Sequence, residues 1–133
     1  MHPKYQKAHE LSSCVIGAGM EVHRALGPGL LETVYEKCLM RELELQGLAA
    51  RQQTIIPVEY KGLKLDECLR SDIVVEDCLI VEVKAVEGIL PIHKAQVLTY
   101  MKLLDTPLGL LMNFHSETLK QGLVRLVLKG ASD

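Results

Sequence analysis

Tryptophan is missing from these 133 residues, and one Phe and four Tyr make up the rest of the aromatic complement. The core must therefore be aliphatic, and stacking platforms for single-stranded nucleic acid, which use several aromatic faces, are disfavoured. No apolar run reaches the ~18 residues of a membrane-spanning helix. The start, Met1-His2-Pro3-Lys4-Tyr5-Gln6-Lys7, is polar with no apolar segment behind it, which predicts a cytoplasmic chain without membrane association. Excess positive charge is also lacking. Fifteen Lys and Arg against 17 Asp and Glu leave a net charge of −2, so any nucleic-acid contact needs a local basic patch or a bound cation. The four cysteines, Cys14, Cys38, Cys68 and Cys78, form no C-x-x-C, which argues against a zinc ribbon or a redox pair and for buried free thiols. Linkers, repeats and low-complexity tracts are absent, so residues 1–133 read as a single domain. Hydrophobic residues at 48% and charged residues at 24% are ordinary for a globular chain with a real core.

Apolar periodicity predicts eight elements. Leu11, Val15, Ala18, Val22 and Leu26 share one face of a helix over about 5–26 that Gly27-Pro28-Gly29 stops; Gly17 and Gly19 inside it imply close approach of another element. A second helix, about 30–46, carries the stripe Leu31, Val34, Tyr35, Cys38 and Leu39. Alternation from about residue 53 predicts an edge strand containing Pro57, then a strand over 63–75 and another over 79–85. Pro91 opens a third helix over 91–104, and strands near 107–114 and 122–128 follow. The order ααβββαββ implies an α/β (α+β) fold, a mixed sheet flanked by helices.

Some residues do not belong where this pattern puts them. Leu79-Ile80-Val81-Glu82-Val83-Lys84-Ala85 reads as a central strand covered on both faces. Glu82 and Lys84 project from one of those faces, about 6–7 Å apart along the strand. An unpaired buried charge costs several kcal/mol, on the order of the effective penalty for an ion in a protein interior. Asp72 stands in the preceding strand of the same hairpin. A two-residue turn at Glu76-Asp77 would pair Asp72 with Val81 and turn it away from Glu82. A three-residue loop or a bulge would bring Asp72 and Glu82 together, although no Gly announces one. Glu32 borders the stripe of the second helix and can point at the sheet. Gln96 and Tyr100 are four apart on the third helix, on a side shared with Ile92 and Leu103, which predicts that this face packs inward. Structural readings stand beside these: an ion pair for Glu82 and Lys84, a helix-dipole acid for Glu32, a cap for Gln96.

Taken together, Asp72, Glu82 and Lys84 resemble the D…(D/E)-x-K core of the PD-(D/E)XK nuclease superfamily, with Ser71 where the name has proline. Gly29-Leu30-Leu31-Glu32-Thr33-Val34-Tyr35 is similar to the G-x-x-E-x-x-Y signature of a small bacterial family placed in that superfamily. Gln96-Val97-Leu98-Thr99-Tyr100 resembles the Q-x-x-x-Y motif of its RecB-like branch. The resemblance spans about Val22 to Leu128. It implies a restriction-endonuclease-like fold and metal-dependent hydrolysis of phosphodiesters. The iron–sulfur cysteines of the RecB type have no counterpart, so no cluster is expected.

Three converging carboxylates cannot all stay ionised without a cation, and hard oxygen ligands select Mg²⁺ or Mn²⁺. Glu32, Asp72 and Glu82 are the candidate metal ligands, and the resemblance adds the carbonyl of Val83. Lys84 would orient the attacking water and stabilise charge on phosphorus. Gln96 would position Lys84 or the phosphate, with Tyr35 and Tyr100 in support. Arg24, His93 and Lys94 are candidate phosphate contacts, and His23 is a minor candidate for approach to the metal. Nucleic acid, DNA ahead of RNA, is the expected partner, with a homodimer as the expected assembly. The competing reading is a catalytically silent nucleic-acid- or protein-binding module that keeps the nuclease fold.

Overall fold

The computed structural model describes all of residues 1–133. Helix α1 (Tyr5–Leu26) and helix α2 (Glu32–Leu45) precede three strands, β1 (Ala50–Tyr60), β2 (Leu63–Val75) and β3 (Leu79–Lys84). Helix α3 (Pro91–Leu104), β4 (Leu108–Asn113), a 3₁₀ turn over Lys120–Gly122 and β5 (Leu123–Val127) complete the chain. The expected order is found, and the fold is the mixed α+β sheet architecture of restriction-endonuclease-like proteins. No helix is long and apolar enough to cross a membrane.

The five strands lie in the sheet in chain order. All neighbours are antiparallel except β3 and β4, which run parallel because α3 carries the chain back between them. Alternation along β3 sends Leu79, Val81 and Val83 into the layer under α1 and α2, and Ile80 into the layer under α3 with Val97, Tyr100 and Met101. Both faces of β3 are covered, so its reading as a central strand holds. Strand β1 is the edge, and its ladder with β2 shifts register between Ile56 and Val58, where Pro57 has no N–H to give.

Gly19 answers a close approach: a Cβ there would stand 2.8 Å from both Leu119 Cδ2 and Met112 Sδ. Gly17 has open space beside it, so that half of the expectation fails. Two helix stripes also need correcting. Leu31, the N-cap that precedes α2, is 75% exposed and Val34 is exposed; Tyr35, Leu39 and Leu43 are the buried face. On α3, Ile92 is 67% exposed and Leu103 is exposed, while Val97, Tyr100 and Met101 pack inward. The inward face is rotated by about one residue step from the one the sequence pattern proposes.

Candidate active site

The β2–β3 hairpin decides the site. Val75 pairs with Leu79, Val74 with Ile80 and Ile73 with Val81, which leaves Glu76, Asp77 and Cys78 as a three-residue loop. No glycine is used. Glu76 (φ 50°) and Asp77 (φ 54°) adopt the left-handed conformation themselves, Cys78 N–H donates to Val75 O (3.0 Å), and Arg51 pairs with Asp77. The odd loop sets Asp72 opposite Glu82.

Backbone pairing stops at Ile73, and side chains continue it. Val83 N–H donates to Asp72 Oδ2 (2.8 Å), Asp72 N–H donates to Glu82 Oε1 and Oε2 (3.3 and 3.4 Å), and Ser71 Oγ–H donates to Glu82 Oε1 (3.0 Å). The residue in the proline position of the superfamily motif thus supports the second acid directly. Glu82 is only 4% exposed. Burial first, then the charge of Asp72, pushes its carboxyl up to about 9, and the Ser71 and Asp72 hydrogen bonds offset only part of this.

A second buried acid is Glu36, which the sequence pattern did not single out. It sits one position beyond Tyr35, and the signal available was the Glu32-x-x-x-Glu36 spacing, which stacks both acids on one flank of α2. Gln52 Nε2 donates to Glu36 Oε2 (2.7 Å) and Gln53 Nε2 to Oε1 (2.8 Å). Burial leads in holding Glu36 above the usual carboxylate range; Asp72 adds to it, and the two glutamines oppose it. Glu32, Thr33, Glu36, Gln53, Asp72 and Val83 line one small cleft of about 150 Å³. Glu32 is therefore at the rim of the expected site, and its Oε1 accepts Ala85 N–H (3.1 Å), fastening the segment just after Lys84.

Lys84 is half-buried and takes part in none of the ion pairs of the chain, so the Glu82–Lys84 ion pair does not form. The segment beyond it is pinned by the buried Asn113. Its Nδ2 donates to Val86 O (2.8 Å), while its Oδ1 accepts Val86 N–H (3.1 Å) and His115 N–H (3.2 Å). From α3, Tyr100 faces the acids: burial first, then the charges of Glu82 and Asp72, raises its phenol, with Gln96 beside it acting the other way. Gln96 itself is exposed.

Tyr35 gives the signature over 29–35 a structural meaning. Its hydroxyl donates to Gly27 O (2.6 Å) and accepts Leu30 N–H (3.0 Å), closing the turn that delivers Glu32. Its ring stacks on Phe114, centroids 4.6 Å apart. Other candidates lie elsewhere. His23 Nε2–H donates to Ser116 O (2.8 Å), and Arg24 pairs with Glu21; both line a separate cleft with Lys120. His93 Nδ1 accepts Leu90 N–H (2.9 Å) at the start of α3, a capping role, and Lys94 is exposed.

The donor set is oxygen-only, which fits a hard dication such as Mg²⁺ or Mn²⁺. Burial first, and then the charge of Asp72, disfavours the ionised form of Glu82, a penalty that a bound cation would offset. As they stand, however, no three acidic, His or Cys side chains converge closely enough to hold a metal. Glu36 is turned towards its glutamines. Comparison with protein families matches residues 9–126 to the PD-(D/E)XK nuclease superfamily. Comparison with curated proteins and with solved structures gives no match.

Proposed function

Because the chain belongs to the PD-(D/E)XK nuclease superfamily, whose members generally use divalent metal ions, we propose that it is a Mg²⁺- or Mn²⁺-dependent nuclease. The observation that carries this reading is the opposition of Asp72 and Glu82 across the hairpin, with Lys84 unpaired two residues on. Asp72, Glu82 and Glu36 would hold the metal with the carbonyl of Val83, and Glu32 would serve from the rim. The bound ion supplies a polarised phosphate oxygen and a water acidic enough to attack near neutral pH. Lys84 directs that water at phosphorus and steadies the negative charge that grows there as the phosphorus–oxygen bond to the leaving group breaks. Ser71 and the Asp72 N–H orient Glu82, and Tyr100 closes the site on the α3 side, with Gln96 set to meet a phosphate.

The finer reading is a G-x-x-E-x-x-Y family protein of the RecB-like branch. It would be a single bacterial cytoplasmic domain, with DNA favoured over RNA and a homodimer joining two weak basic surfaces. Arg24 would then serve a more distant stretch of backbone than the scissile phosphate, since it lies in another cleft.

The test is cleavage of plasmid, linear and single-stranded DNA and of RNA with Mg²⁺ or Mn²⁺. Lys84→Ala should lower the rate by at least ~10²-fold, as for loss of one charge-stabilising group, and leave Mn²⁺ binding in place. Asp72→Ala should remove both. Mn²⁺ binding without turnover on any substrate would favour the silent binding module instead.

A further inference from the structure

Gln53 has two features that its strand does not require. Its φ of 52° is left-handed, a region that residues with a Cβ avoid. The ladder is in register on either side, Gln52 with Ile73 and Thr54 with Ser71, so the twist does not absorb an extra residue. What the conformation achieves is aim. Gln53 stands opposite Asp72, and its Nε2 donates to Glu36 Oε1 (2.8 Å) and reaches Asp72 Oδ1 (3.4 Å). One amide group bridges two carboxylates delivered by different elements, inside the cleft that also holds Val83.

We propose that Gln53 is a placeholder donor: its amide occupies lone pairs of Glu36 and Asp72 until a dication enters, and then yields them. This rests on the metal-dependent reading above. Two neighbouring carboxylates need positive charge opposite them, and the amide hydrogens supply part of it. Being neutral, the amide is displaced more readily than a lysine or guanidinium would be. Gln52 engages the second oxygen of Glu36 (2.7 Å), so both oxygens of that acid are held by amides. Backbone strain concentrated at one residue of a functional cleft agrees with this role. The glutamine thus sets the affinity threshold of the site and keeps the metal-free acids in order.

The test is calorimetric titration of Mn²⁺ into the full chain, comparing wild type, Gln53→Ala, Gln53→Gly and Asp72→Ala, with urea unfolding in chelator. Both Gln53 variants should bind Mn²⁺ about tenfold more tightly, equivalent to about 1.4 kcal/mol. Metal-free Gln53→Ala should unfold at lower urea. Glycine adopts the backbone conformation freely, so a gain seen only in Gln53→Gly would trace to strain and overturn the proposal. Unchanged or weaker binding in both variants would overturn it too, while loss of binding in Asp72→Ala upheld the metal site. Equal binding by wild type and Asp72→Ala, or none by either, would overturn the metal reading and the placeholder with it.

Discussion

Replacing Glu82 by Gln should stabilise the metal-free protein at neutral pH, by an amount that grows with pH. Burial and the Asp72 charge push the carboxyl up to about 9 in the fold, against an ordinary value of 4.5. Between those values the native state keeps a proton that the unfolded chain releases, so stability falls as pH rises. It is highest below 4.5, declines through neutrality and levels off above 9. One pKa unit is worth about 1.4 kcal/mol, so at pH 7 the loss relative to acid pH is on the order of 3 kcal/mol. Glutamine mimics the protonated acid: its carbonyl can still accept from Ser71 and from Asp72 N–H. Urea denaturation in chelator at pH 5, 7 and 8.5 should therefore show Glu82→Gln little different at pH 5 and more stable by about 3 kcal/mol at pH 7. Saturating Mn²⁺ should reverse the order, because the ion stabilises only the protein that can bind it. A stability difference that stays flat from pH 5 to 8.5, or that favours wild type throughout in chelator, would refute the assignment of a buried proton to Glu82.

Tyr35→Phe keeps the stack on Phe114 but removes both hydroxyl bonds. Because Gly27 and Leu30 can turn to water, it should cost only about 1 kcal/mol by urea denaturation, whereas Tyr35→Ala should cost about 3–5 kcal/mol. Glu76→Gly should stabilise the protein by up to about 1 kcal/mol, since glycine adopts the left-handed conformation at φ 50° without strain; a destabilised variant in the same urea series would show that the Glu76 side chain helps hold the loop.

The architecture was largely legible because β3 is a near-continuous apolar run and because Gly27-Pro28-Gly29 and Pro91 punctuate helices sharply. The core of the site was legible only as alternatives. Loop length decides whether Asp72 meets Glu82, and Glu76 and Asp77 adopt glycine-like angles that their identities do not advertise. Glu36 stayed hidden because an acid one step from a stripe reads as solvated; its burial depends on Gln52 and Gln53, which come from a different element. Periodicity places Leu31, Val34, Ile92 and Leu103 on packing faces, but it does not fix which part of an apolar stripe meets the sheet, and all four are exposed.

The tyrosine knot at Gly27 and Leu30 bears on how such chains are recognised. Most of what residues 29–35 spell out is the shape of a bend, and only Glu32 and Thr33 within it touch the cleft. A descendant of this chain could discard Asp72, Glu82 and Lys84, forfeit the proposed hydrolysis, and still carry that heptapeptide because it serves the bend. The heptapeptide therefore speaks for the bend, and the proposed hydrolysis would be judged at positions 36, 72, 82 and 84.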